Sequence, residues 1–139
     1  MKKKGFTLVE LLLVIVIIGL IALIVYPSIL RIIGDARTSS YENQVKIVEK
    51  AARAWGYKNA LLLPDGSGST DKEKYGCLKL SVLTSGGYLS VDEVKDPRTT
   101  GKNLTGAVRI SYSSGQYVYE YVDELNDLIS NDSRCTVYN

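Results

Sequence analysis

Glu10 is the residue whose setting calls for chemistry. It is the one charged side chain between Phe6 and Tyr26, in a run that is otherwise apolar apart from Thr7 and Gly19. As an α-helix these 21 residues reach roughly 30 Å at about 1.5 Å each, the thickness of a bilayer's hydrocarbon core. A carboxylate inside such a segment is costly and usually faces protein with a partner, so Glu10 predicts a contact with a positive group. The plainer alternative is a membrane anchor whose acid sits at the interface.

Little else in the chain has the makings of a reaction centre. There is no histidine, which removes His-based triads and the usual His-containing zinc sites, and two cysteines do not supply a four-thiolate site. The glycines of Pro64-Asp65-Gly66-Ser67-Gly68-Ser69-Thr70-Asp71 lack the following Gly-Lys-Ser/Thr of a phosphate loop and read as an exposed turn. Asp123, Glu124, Asn126, Asp127, Asn131 and Asp132 make an oxygen-rich stretch without EF-hand spacing. Calcium on Asp123, Glu124 and Asp127 is the weaker reading there and solvated charge the stronger, so the expectation is no metal, no cofactor and no enzyme.

Charge and topology narrow the partners. The formal net charge is +2, but removing Lys2, Lys3 and Lys4 leaves 14 basic side chains against 15 acidic ones. That balance does not support DNA binding. The three lysines instead read as a positive-inside signal that keeps the N-terminus in the cytoplasm. No small-residue cleavage site closes the apolar run, which exits as Ile24-Val25-Tyr26-Pro27, so the helix is expected to stay on the mature chain. The remainder is then exported, where Cys77 and Cys135 are candidates for a disulfide, the alternative being two buried thiols.

The string Lys2-Lys3-Lys4-Gly5-Phe6-Thr7-Leu8-Val9-Glu10, followed at once by apolar residues, closely resembles the class III leader of type IV prepilins and pseudopilins. The resemblance implies that a prepilin peptidase cuts between Gly5 and Phe6 and methylates the new amino group of Phe6. That cationic amine on one subunit can then meet Glu10 on the next, each charge neutralising the other where neither is tolerated alone. Gly19 followed by Pro27 also resembles the pilin helix, in which the intervening segment can lose helicity on assembly and make a filament extensible. Leu83, Gly87-Tyr88-Leu89 and Asp96-Pro97 resemble a segment of many pilins and major pseudopilins, which carries the likeness past the N-terminus.

The elements that must position these groups follow from periodicity. Pro27 predicts a kink or a loosened turn, or else the end of the membrane span. Beyond it Tyr41, Val45, Val48, Ala52 and Trp55 recur at helical spacing on one face, with Glu42/Lys46 and Glu49/Arg53 as i,i+4 pairs on the charged remainder. One helix of about 50 residues is expected, its first half projecting as a handle and its second half packing on a domain. Leu78-Lys79-Leu80 suggests a short strand, Ser81 an N-cap for a helical turn, and Gly86-Gly87 its end. Val108, Ile110 and Tyr112, then Tyr117, Tyr119 and Tyr121 after Ser113-Ser114-Gly115, predict an antiparallel hairpin whose tyrosines pack rather than form an exposed ladder. A last short strand over Thr136 to Tyr138 completes the tail.

The expected architecture is α+β: a long N-terminal helix, apolar, kinked near Pro27 and then amphipathic, on a small antiparallel sheet, the pilin fold that the resemblance implies. Its parts are a leader at 1–5, a transmembrane or filament-core half-helix at 6–28, an amphipathic half-helix at 29–58 and a head at 59–139. The resemblance implies a homo-oligomeric helical filament, a type IV pilus serving adhesion, motility or DNA uptake, with prepilin peptidase, assembly machinery and minor pilins as partners. Before assembly the chain would be a single-pass cytoplasmic membrane protein with an exported domain, and afterwards part of an extracellular fibre. A pseudopilin of a secretion or competence machine and a membrane-anchored binding module are the rival readings.

Overall fold

The computed structural model describes residues 5–64, 74–123, 129 and 134–139. Helix α1 (Leu8–Lys58) is followed by strand β1 (Tyr75–Lys79), short helix α2 (Leu80–Ser85), strands β2 (Ala107–Ser113) and β3 (Gln116–Val122) and strand β4 (Cys135–Tyr138). Single 3-10 turns lie at Ala60–Leu62 and Asp92–Val94. Contacts divide the chain into two units, Met1–Thr38 and Ser39–Asn139.

In the first unit every described residue is exposed, and the helical assignment runs through Gly19 and Pro27 without a break. Pro27 withholds the N–H that the Leu23 carbonyl would otherwise receive. The flanking apolar residues have good helix propensity or are neutral in it, so one missing bond does not end the element. Pro27 is therefore not the end of the helix.

In the second unit α1 presents one face to the sheet. Val48, Ala51, Ala52, Trp55 and Gly56 are buried, with Tyr41 and Val45 partly so, which is the predicted stripe with Ala51 and Gly56 added. They join Leu78, Leu83, Val108 and Ile110 in a single core. Those four and Val48 are wholly removed from solvent, and burying an aliphatic chain of that size stabilises by about 1.5–3 kcal/mol. Tyr119 and Tyr121 are buried in the same core and Tyr117 packs against it, so the tyrosines are packing groups.

The sheet order is β3-β2-β1-β4. β1 with β2 and β2 with β3 are antiparallel, and the β2–β3 hairpin closes at Ser113 opposite Gln116. The two turn residues, Ser114 at φ 52° and Gly115 at φ 84°, are both left-handed, the conformation a two-residue hairpin turn demands. β4, however, runs parallel to β1, pairing Tyr75 with Cys135 and Leu78 with Tyr138. The expected antiparallel sheet is thus a mixed one. Because β3 already runs in the direction of β1, a parallel β4 requires the chain after Val122 to cross back over the sheet before pairing, a connection that side-chain alternation does not reveal.

Three local expectations are also corrected. β1 starts at Tyr75 and Leu80 begins α2, so the strand ends earlier than the apolar pattern suggests. Ser81 lies inside α2, whose N-cap is Lys79 with no side-chain cap bond. Neither predicted i,i+4 ion pair forms: Glu49 Oε1 instead accepts the Tyr121 N–H at 3.2 Å, and the Arg53 guanidinium lies over the Tyr119 ring. A helical side chain held by tertiary contact gains more than the few tenths of a kcal/mol, about 0.2–0.5, that a solvated pair offers. The predicted end of α2 holds, with Gly86 N–H bonded to the Val82 carbonyl and Gly87 at φ 72°.

Gly106 leads into β2 at the tightest backbone approach. Its N–H donates to the Tyr121 hydroxyl at 2.9 Å, and a methyl group there would stand 2.6 Å from Tyr121 Cζ and closer still to the Val122 carbonyl oxygen. Backbone cannot swing aside as a side-chain tip can. Gly106→Ala is therefore expected to destabilise the fold by about 1–3 kcal/mol, read as a lower thermal midpoint of the full chain in detergent. An unchanged midpoint would show that β2 can shift.

Candidate functional site

The N-terminal site is built by the start of α1. Gly5, Phe6 and Thr7 lie outside regular structure and are exposed, so the Gly5–Phe6 bond sits in non-helical backbone. Thr7 begins the helix: its carbonyl accepts the Leu11 N–H at 3.2 Å, and its Oγ1 accepts the Glu10 N–H at 3.3 Å. Thr7 with Glu10 three residues on is the side-chain pattern of a helix N-cap. Thr7 was the residue that sequence reading missed, although a Thr-x-x-Glu string ahead of an apolar run is its signature.

Glu10 thus stands in the first turn, where the unbonded N–H groups carry partial positive charge. Among the described residues its side chain has no hydrogen-bond or ion-pair partner, and the surrounding apolar residues lie bare: Leu8, Val9, Leu11, Leu12 and Leu13 are each more than half exposed. The helix contains a window of mean hydropathy 3.3 of which none is buried. This surface requires either lipid or other helices.

Residues 1–26 match the family model of the prokaryotic N-terminal methylation motif. No curated protein and no solved structure matches the chain. The match supports a relation to the type IV pilins and pseudopilins. A prepilin leader of this class implies processing by a prepilin peptidase and assembly with other pilin-type subunits, and fits a membrane-anchored precursor that later enters a filament. The motif is that of a structural protein.

In the head the described candidate site residues are already engaged. Cys77 and Cys135 are joined as a disulfide, their Cα atoms 5.8 Å apart, linking β1 to β4. Both oxygens of Asp123 are taken: Oδ2 accepts Tyr41 Oη at 2.7 Å and the Arg98 guanidinium at 3.1 Å, and Oδ1 accepts Tyr121 Oη at 3.0 Å. Glu124 and Asp127 lie outside the described residues, as does most of the Pro64–Asp71 turn. Among the described residues no group of three or more potential ligands is placed to hold a metal.

Arg98 ties this cluster together. Its guanidinium forks onto Asp96 at 3.0 Å and stacks 3.6 Å over the Tyr41 ring, so α1, the Asp96-Pro97 turn and the end of β3 share one polar knot. The Arg98 hydrogen bonds hold the Asp96 carboxyl below its ordinary range. Burial pushes Asp123 up, but the hydrogen bonds from Tyr41, Tyr121 and Arg98 outweigh it and leave that carboxyl lowered as well. With both values depressed, the folded state binds fewer protons than the unfolded state near and below about pH 4, so this stability is full above that pH and lost as pH falls through the folded values. Acid titration of the full chain by circular dichroism should show unfolding below about pH 4, with a shallower pH dependence in Asp96→Asn. An equal slope in the variant would exclude Asp96 from the transition.

Proposed function

We propose that this chain is the structural subunit of a type IV pilus, polymerising through α1 into an extracellular filament. The observation that carries the reading is the methylation motif over residues 1–26, in which α1 begins with an apolar stretch that has nothing buried along it. Lipid satisfies that surface before assembly, and neighbouring copies of the same helix satisfy it afterwards. Gly5 and Phe6 define the processed bond, the Phe6 amine of one subunit pairs with Glu10 of the next, and the segment from Gly19 to Pro27 supplies extensibility. The head, closed by its disulfide, covers the outside of the fibre.

The test is to image cells with and without the chain and label sheared surface material with antibody to it. Long labelled filaments that vanish with the chain support a pilus. A short fibre present only with a secretion or uptake machine would make the chain a pseudopilin. Labelled protein that stays monomeric in the membrane would overturn both.

A further inference from the structure

The head holds a cleft of about 450 Å³ between the C-terminal turns of α1 and the start of β3, lined in part by Arg53, Gly56, Tyr57, Gln116, Tyr117 and Tyr119. All of these belong to the second unit. We propose that this cleft binds an acidic sugar, a pyranose bearing one carboxylate. The proposal is independent of whether the fibre is a pilus or a pseudopilus.

The carboxylate is argued from the edge of the sheet. β3 is an edge strand, and in an antiparallel hairpin alternate residues turn their N–H and C=O groups away from the partner strand. Ser113 and Gln116 close the hairpin, so Tyr117, Tyr119 and Tyr121 are the outward residues of β3. The chain fills one of these positions with its own carboxylate, Glu49 on the Tyr121 N–H at 3.2 Å. The next position along the edge, Tyr119, receives no such group among the described residues, and the helix residue one turn beyond Glu49 is Arg53. Its guanidinium centre lies 5.7 Å from the Tyr119 ring. A ligand carboxylate would repeat the Glu49 contact at Tyr119 with a cation beside it, and charge-assisted hydrogen bonds of this kind are about twice as strong as neutral ones.

The sugar is argued from the rest of the lining. Tyr57, one further helical turn on, is 78% exposed and offers an open ring face. The hydroxyls of Tyr57, Tyr117 and Tyr119 and the carboxamide of Gln116 make no hydrogen bond among the described residues. Aromatic faces suit the C–H side of a pyranose, and uncommitted hydroxyl and amide groups suit its hydroxyls. Gly56 keeps the wall low, since a methyl there would collide with the Tyr119 hydroxyl. None of these lining residues is acidic, so nothing there repels the ligand's charge.

The experiment titrates the full chain in detergent micelles with D-glucuronate, D-glucose and acetate, following backbone amide resonances by NMR. Saturable shifts of Tyr117 and Tyr119 with glucuronate, at least about tenfold weaker with either control, are expected, since tenfold is the loss of one modest interaction. Arg53→Gln should weaken glucuronate binding by a similar factor and Tyr57→Ala by several-fold, both with an unchanged circular dichroism spectrum because both side chains are exposed. Leu61→Ala, on the fully exposed 3-10 turn, should change nothing. Equal response to acetate, equal response to glucose, or no response to glucuronate each overturns the proposal.

Discussion

Glu10→Ala chains should enter the membrane and fail to build filaments. The acid is the one charged group of an otherwise apolar span, so removing it eases insertion, by less than the about 2.5–3.5 kcal/mol that a charge costs at a helix centre because Glu10 lies in the first turn. Assembly suffers for the opposite reason. In the proposed filament the Phe6 amine would be left without its partner between helices, and breaking a buried pair on one side costs about 3–5 kcal/mol. At about 1.4 kcal/mol per factor of ten, each subunit contact weakens by a hundredfold or more. Sheared surface filament should fall below detection while the membrane fraction holds normal amounts of processed protein. Glu10→Gln should behave like alanine and Glu10→Asp should retain some assembly. Normal filaments from Glu10→Gln would show that the carboxylate is not a register contact.

Loss of the disulfide should cost the head more than any single side chain of its core. Cys77 and Cys135 are separated by 58 positions, and for a loop of that length the chain-entropy account gives about 4 kcal/mol. The bond also holds β4, which adds to β1 by only four residues and carries Tyr138. That ring lies 5.1 Å from Trp55, and its hydroxyl donates to the Leu62 carbonyl at 2.7 Å, so the end of the chain is fastened to α1 through β4. A Cys77→Ala, Cys135→Ala double variant should lower the unfolding free energy by about 4 kcal/mol, with the Trp55 fluorescence change the first to appear on heating. Equal stability with and without reductant would remove the bridge from the account.

The N-terminal half was legible because its signals are local. A basic leader, a glycine, an isolated acid and an apolar run are read directly from neighbouring residues, and helical periodicity alone picked out Val48, Ala52 and Trp55 as buried. The hairpin was legible for the same reason, its alternation and its Ser-Gly turn lying within one short segment. The polar knot was not. Tyr41, Asp96, Arg98 and Asp123 are spread over more than 80 positions, and although Tyr41 read as a packing residue, Asp96 as part of a turn and Asp123 as a weak calcium candidate, nothing in their spacing joined them. Glu49 misled outright, since its spacing to Arg53 suggested an ion pair while its carboxylate serves a strand edge 72 positions away.

By itself the sequence determined that this chain carries a prepilin-like leader motif, one long helix and a small strand-bearing head, because hydropathy and short motifs act over a few residues and need no knowledge of topology. Only the tertiary structure decided that β4 joins β1 in parallel, that Tyr138 reaches Trp55 and that Arg53 and Tyr119 flank one cleft. Strand direction and long-range pairing depend on how the chain crosses the sheet. Alternating side chains read the same in either direction, so that choice is made only when the whole head packs.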